Sequence, residues 1–126
     1  SRARIVGVVA RGAPAFERAW RTGVRVTMPR ADTFAEGIAC RTAYDLTFEV
    51  LRRELDDVVL VSDDDIEEAM RVVLGCTHNL VEGAGAAAFA AARSYPMAAG
   101  AAAACIMSGG NVDARTLRRI LDRPSS

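Results

Sequence analysis

An apolar run followed by a stretch with helical spacing occurs three times along this chain of 126 residues. The apolar runs are residues 4–9, 58–61 and 102–107. Each has the composition of a buried strand, and strands that alternate with helices are typical of an open α/β sheet. We therefore predict the α/β class, with a partial open mixed sheet and flanking helices.

Capping residues mark the ends of the predicted helices. Pro14 and Gly23 bracket the first helix, since proline suits a helix start and glycine the position after its last turn. Ser62, followed by acidic residues, is a typical N-cap. The apolar positions of the second helix fit one face, which we predict to be buried: Leu46, Val50 and Leu51. The helices are predicted at residues 13–22, 43–55, 62–74, 85–93 and 113–121, with a loop at 24–42.

The charge balance argues against nucleic-acid and membrane partners. The 16 cationic and 16 anionic side chains give a net charge of +0, which removes the usual electrostatic attraction to nucleic acid or an anionic membrane. No charge-free apolar run reaches the roughly 18 residues of a membrane span. Residues 1–4 contain no signal-peptide core. We expect a cytoplasmic protein.

The residues that commonly bind metals are not grouped as a metal site requires. Cys40, Cys76 and Cys105 match no metal-ligand spacing, and we expect reduced, mostly buried thiols. His78, the only histidine, stands at a predicted helix end and is interpreted as a cap or core residue rather than a catalytic base. The aspartates of residues 63–65 lack the glycine and distal glutamate of a calcium loop. We predict no metal.

Two glycine clusters are candidates for ligand binding. Residues 83–88 imitate a dinucleotide-binding fingerprint, but the preceding segment is helical and no acidic residue stands about 20 residues further on. Residues 108–111, Ser-Gly-Gly-Asn, directly follow the third predicted strand. Their polar groups would therefore lie at the carboxyl edge of the sheet, where open α/β folds bind ligands. The alternative is a tight turn that only precedes a helix.

Five phrases of the chain, in family order and over nearly its whole length, resemble a known enzyme family. They are VVARGAPAFERAW, DTFAEGIA, LTFEVLRRELDDVVLVSDDDI, LVEGAGAAA and IMSGGNVD. They resemble the second half of the threonine/serine ammonia-lyases, which include threonine dehydratase and serine racemase. The resemblance implies pyridoxal phosphate as cofactor and the type II fold. It covers the C-terminal part of the large, cofactor-binding domain, so we expect residues 1–126 to be a single incomplete domain.

The resemblance assigns cofactor-binding roles to particular residues. Ser108 matches the serine whose hydroxyl hydrogen-bonds the pyridine nitrogen of the cofactor. A hydroxyl leaves the ring closer to neutral than a carboxylate would, which favours elimination of the substrate β-hydroxyl. Gly37 matches the glycine that lets the backbone approach the ring, and Glu82 the acidic residue near the ring edge. Gly109 and Asn111, in the same turn as Ser108, complete the predicted set.

The chain also departs from the family pattern. The usual residue before the ring-facing glycine is Asp, where this chain has Glu36. Members that bind a divalent cation take carboxylates from positions that match Val9 and Ala15 here, so the resemblance too implies no metal. All 16 cationic residues are arginine, and the catalytic lysine that forms the Schiff base is therefore absent. The family's phosphate-binding glycine loop would precede Ser1.

The resemblance implies a C-terminal fragment of a pyridoxal-phosphate-dependent threonine/serine ammonia-lyase, which deaminates a small-molecule amino acid. The fragment alone is expected to be inactive. The preference for threonine or serine, and for elimination or racemisation, stays open. The alternative is a non-catalytic, truncated α/β paralogue that serves assembly or regulation.

Unpaired strands favour self-association. The predicted strands would pair in the intact family fold with neighbours that this chain lacks, and an unpaired apolar edge is a template for another chain. Uncharged side chains would face the missing neighbours: Ile5, Val8, Val59 and Ile106. We therefore expect a homo-oligomer, or a chain that is ordered only within a longer polypeptide.

Overall fold

The computed structural model describes residues 3–123. Ser1 and Arg2, part of the amino-terminal segment discussed above for localisation, lie outside these residues. None of the helices in residues 3–123 is long and apolar enough to cross a membrane. The strands are β1 (Val6–Ala10) and β2 (Asp57–Val61); the helices are α1 (Ala15–Thr22), α2 (Asp45–Glu54), α3 (Asp63–Thr77), α4 (Gly83–Ala92) and α5 (Ala114–Asp122), with a 3₁₀ turn at Glu36–Ile38.

The two strands form a parallel pair. Val6 lies opposite Asp57 and Ala10 opposite Val61, without a bulge between them. The connection between them carries α1 and α2, as a parallel pair requires a crossover. The α/β class with flanking helices is confirmed.

The predicted third strand is wrong for the described chain. Residues 102–107 have no regular secondary structure and pair with no strand among residues 3–123. They lie instead along α4, where the Cys105 thiol is 3.7 Å from the Ala88 carbonyl oxygen. A strand is defined by its ladder, and alanines, which fill residues 101–104, have low β-propensity. The predicted mixed sheet is therefore represented here by one parallel pair.

The caps predicted at the end of α1 and at the start and end of α3 are confirmed. Gly23 ends α1 in the left-handed conformation, with φ 75°. Ser62 caps α3 in a reciprocal capping box: its hydroxyl accepts from the Asp65 N–H and the Asp65 carboxylate accepts from the Ser62 N–H. Hydrogen bonds from Ser62 lower the pKa of Asp65. His78 ends α3 with φ 58°, so it is a cap, as predicted.

The predicted buried face of α2 is wrong. Leu46 is 79% exposed, whereas Phe48 is 2% exposed. The Phe48 ring packs edge-to-face on Phe16 of α1, with the ring centroids 6.1 Å apart. Because helical spacing alone gives two candidate apolar faces, the large aromatic side chain and its partner on α1 decide which one is buried.

The main core lies between β2, α3 and α4. Alanine fills the α4 side, and small side chains allow two helices to approach closely. The buried members include Val61, Ile66, Met70, Val73, Ala86, Ala87, Ala90 and Ile120. This packing fixes the N-terminus of α4 relative to the loop before Glu36–Ile38, and so positions the site described next.

The thiols are free, but their predicted burial is wrong. Cys40 and Cys76 are exposed and Cys105 is half-buried. Cys40 follows the 3₁₀ turn and Cys76 stands in the last turn of α3, and neither position faces the core.

Candidate functional site

Three segments that are distant in sequence enclose a cleft of about 610 Å³. They are the turn at 34–37, the start of α4 at 82–84, and residues 111–116, which lead into α5. Small-molecule sites have volumes of about 300–1,000 Å³. The lining residues are Phe34, Ala35, Glu36, Gly37, Glu82, Gly83, Ala84, Asn111, Val112, Asp113 and Thr116.

Asp63 holds the turn at 34–37, which forms the first wall of the cleft. It directly follows the cap of α3, at the carboxyl end of β2, and its carboxylate accepts from the Thr33 hydroxyl at 2.6 Å and from the Phe34 N–H at 3.1 Å. The turn therefore enters the cleft from the carboxyl edge of the strand pair, where parallel α/β folds bind ligands. The sequence pattern did not single out Asp63 for this role, because its partners are about 30 residues away.

Gly37 allows this turn to touch α4. A Cβ atom at Gly37 would lie 2.8 Å from the Ala84 Cβ and 3.6 Å from the Glu82 Oε1. The first distance is shorter than any ordinary carbon–carbon contact, so a side chain here would push the turn away from α4. The predicted Gly37 thus lies beside the predicted Glu82.

Glu82 holds residues 111–116, which form the second wall of the cleft opposite the turn at 34–37. Its N–H donates to the Gly109 carbonyl oxygen at 3.1 Å, and its Oε2 accepts from the Asn111 N–H at 3.1 Å. Gly109 has φ 75°, which favours glycine. A Cβ atom at Gly109 would also lie 2.5 Å from the Glu82 Oε1. Glu82 therefore shapes the turn after Ser108 through its backbone and its side chain.

Ser108 borders the cleft without lining it. A Cβ atom at Gly85 would overlap the Ser108 carbonyl oxygen, so Ser108 lies directly against α4. Its side chain is exposed, and its hydroxyl has no hydrogen-bond partner within residues 3–123. The prediction placed Ser108 directly after a paired strand, and this is wrong for the described residues. Ser108 follows a segment without regular secondary structure that lies on α4. The cleft thus brings together Gly37, Glu82 and Asn111, with Gly109 and Ser108 at its margin.

The start of α5 adds residues that the sequence analysis did not assign to the site. Asp113 caps α5: its carboxylate accepts from the Thr116 N–H at 2.9 Å and from the Thr116 hydroxyl at 2.7 Å. These hydrogen bonds lower the pKa of Asp113. An aspartate followed by threonine three residues later is a cap signal, which could have placed this helix start beside the SGGN turn. Three carboxylates therefore border the cleft, those of Glu36, Glu82 and Asp113.

Metal ligands are not assembled in the described part of the chain. No three or more His, Cys, Asp or Glu side chains within residues 3–123 are arranged to hold a metal ion. The absence of a metal in the intact protein stays a prediction. The predicted roles of the five cofactor-binding residues likewise stay predictions, now with a geometry that can be tested.

Comparison with known proteins gives a family match and several relatives. The family model described as "Pyridoxal-phosphate dependent enzyme" matches residues 1–109. A mitochondrial threonine dehydratase from Schizosaccharomyces pombe is 35% identical over 125 residues, which are 95% of this chain and 21% of that protein. An L-threonine ammonia-lyase from Geobacter sulfurreducens is 36% identical over 121 residues, which are 95% of this chain and 30% of that protein. The chain thus spans less than a third of either relative.

Solved structures of similar proteins share this fold. Maize serine racemase has a TM-score of 0.82 and 33% identity, covering 94% of this chain and 39% of its own. The processed form of threonine deaminase isoform 2 from Solanum lycopersicum has a TM-score of 0.83 and 30% identity, covering 95% of this chain and 34% of its own. The predicted likeness to type II pyridoxal-phosphate enzymes is confirmed, and the place of the chain within the large domain stays a prediction.

Proposed function

The chain belongs to the family of pyridoxal-phosphate-dependent enzymes, and we propose that it is the C-terminal part of the large domain of a threonine/serine ammonia-lyase. The proposed reaction of the whole enzyme is the deamination of threonine to 2-oxobutanoate and ammonia. The names of the relatives support this reaction. One observation carries the proposal. The Glu82 carboxylate accepts from the Asn111 N–H and leaves no room for a side chain at Gly109, and it lies beside Gly37. The three family phrases that contain Gly37, Glu82 and Asn111 therefore meet at one cleft.

The residues of the cleft fit a flat aromatic cofactor. At Gly37 no side chain stands between the backbone of the turn and α4, so the backbone can lie close to a ring beside Glu82. The Ser108 hydroxyl is exposed and is not engaged by another described residue, so it is available as a hydrogen-bond donor. A volume of about 610 Å³ accommodates a cofactor and a small amino acid.

Three residues of the site then have a defined task. When bound, pyridoxal phosphate supplies an electron sink for negative charge at the substrate α-carbon. Ser108 donates to the pyridine nitrogen without adding a charge there. Glu82 holds the turn that presents Ser108, and Gly37 keeps the opposite wall close to the ring. Because the 126 residues include no lysine, the covalent attachment of the cofactor belongs to another part of the whole enzyme, and the chain alone is inactive.

Replacement of Ser108 tests this assignment in the full-length enzyme. Ser108→Ala should leave the cofactor bound but lower turnover about tenfold to a thousandfold, since it removes one preorganised donor. Ser94→Ala is the matched control, because the Ser94 hydroxyl bonds the Ala91 carbonyl oxygen at the end of α4, outside the cleft. Unchanged turnover in Ser108→Ala would make the SGGN turn purely structural. A full-length protein that binds no cofactor would instead favour a non-catalytic paralogue.

A further inference from the structure

A charged cluster behind the cleft involves a carboxylate that the proposed chemistry does not use. Glu67 lies on α3 with its side chain only 4% exposed. Glu67 pairs with Arg119 and, through Oε2 at 2.6 Å, with Arg123. Arg119 lies on α5, and Arg123 directly follows its last residue. Arg123 also bonds Asp64 at 2.9 Å. A buried carboxylate needs such partners, because its desolvation is costly when it is unpaired.

Arg119 makes a second contact that Arg123 does not. Its guanidinium carbon lies 5.6 Å from the centroid of the Phe34 ring, within the usual range of a cation–π interaction. Phe34 lines the cleft, three residues before Gly37. On its other side, Arg119 stands one helical turn after Thr116, which lines the opposite wall. Arg119 therefore contacts the first wall through Phe34, while its own helix, α5, contributes Thr116 to the second wall.

We propose that Arg119 is a positioning residue, which fixes the spacing between the two walls of the cofactor cleft. Glu67 orients the guanidinium, and the guanidinium holds the Phe34 ring. Because α5 begins three residues after Asn111 of the SGGN turn, the position of α5 and that of the Gly37 turn are then linked through one planar group. A lysine could pair with Glu67 but offers no planar face to the ring.

The chain offers two matched controls for this proposal. Arg118 is the neighbouring residue on α5, is 85% exposed at its side chain and, among residues 3–123, pairs only with Asp122 one turn on. Arg71 also ties α3 to α5, since its Nη1 donates to the Ile120 carbonyl oxygen at 2.9 Å. Arg71 makes no ring contact with Phe34, so it reports how much of an effect comes from helix docking alone.

The test compares Arg119→Ala, Arg71→Ala and Arg118→Ala in the full-length protein with two measurements. The first is hydrogen exchange without cofactor at the amides of Glu36, Ile38 and Ala39, which are bonded within the turn. The second is the dissociation constant of pyridoxal phosphate, titrated by absorbance. Arg119→Ala should speed exchange and raise the dissociation constant about tenfold, whereas both controls should change each by less than about twofold. Arg119→Lys should restore little of either.

A double variant tests the route through the ring. Phe34→Leu keeps an apolar side chain but removes the aromatic face, so adding it to Arg119→Ala should bring little further loss. Fully additive effects, or an Arg71→Ala variant that matches Arg119→Ala, would overturn the proposal. The inference rests on the proposed function, yet the two fail differently. A wild-type protein that binds no pyridoxal phosphate contradicts the function, while the exchange measurement still decides the role of Arg119.

Discussion

Replacing Gly109 by alanine should damage the cleft more than its backbone conformation alone explains. Gly109 has φ 75°, and Gly100, another glycine in a turn, has a similar φ of 78°. An alanine in the left-handed conformation costs about 1–2 kcal/mol. At Gly100 a Cβ atom would meet nothing within 4 Å, whereas at Gly109 it would lie 2.5 Å from the Glu82 Oε1 and 2.7 Å from its carboxyl carbon.

The two substitutions therefore share the conformational cost and differ in the contact. Relief of the contact at Gly109 requires Glu82 to move, which breaks its hydrogen bond to the Asn111 N–H. Loss of one such hydrogen bond costs about 0.5–1.5 kcal/mol beyond the backbone term. We expect Gly109→Ala to lower the free energy of unfolding by about 1.5–3.5 kcal/mol, and Gly100→Ala by about 1–2 kcal/mol.

The assay is urea unfolding of the full-length protein, combined with titration of pyridoxal phosphate. Gly109→Ala should weaken cofactor binding at least tenfold, because Glu82 no longer holds the turn after Ser108. Gly100→Ala should leave cofactor binding unchanged. Equal effects of both variants on binding would refute the role assigned to Glu82, and an unfolding cost at Gly109 no larger than that at Gly100 would refute the close contact.

Three further predictions follow from the composition, the capping box and the strand edges. The 126-residue chain alone, mixed with pyridoxal phosphate and dialysed, should retain no absorbance band of a lysine-linked cofactor, because it contains no lysine; a retained band would contradict this. Asp65→Ala should cost the full-length protein about 0.3–1 kcal/mol at pH 7, since Asp65 is the acidic first-turn partner of the Ser62 cap. Since Ser62 lowers the pKa of Asp65, the charged carboxylate stabilises the fold above its unfolded pKa of about 4, and the difference from wild type should shrink as the pH falls below that value in acid-unfolding curves. A difference independent of pH would argue against the capping box. The chain alone should self-associate at micromolar concentration in light scattering, because Ile5 is 47% and Ile106 79% exposed; a compact monomer with a cooperative thermal transition would contradict this.

Local signals were sufficient for the helix ends and the two paired strands. Ser62, Gly23 and His78 act within a few residues of their own positions, so the sequence pattern contains the information for these caps. The valine-rich run at β2 is likewise apolar enough to indicate a buried strand. Such features depend little on the rest of the chain.

Partners distant in sequence decided what the pattern could not predict. Residues 102–107 resemble a strand but have no neighbour to pair with in the described chain. The burial of Phe48 rather than Leu46 depends on Phe16 of α1. In the cleft, the family resemblance indicated Gly37 and Glu82. The supporting contacts of Asp63 and Arg119 join residues about 30 to 85 positions apart, and no local spacing contains them.

Threonine deamination by the full-length protein tests the central claim most directly. The purified protein, loaded with pyridoxal phosphate, would be incubated with L-threonine, and 2-oxobutanoate and ammonia would be measured together. The account predicts that the two products appear in equal amounts, and that Ser108→Ala slows both while the cofactor stays bound. A wild-type protein that retains the cofactor but forms neither product from threonine or serine would contradict it.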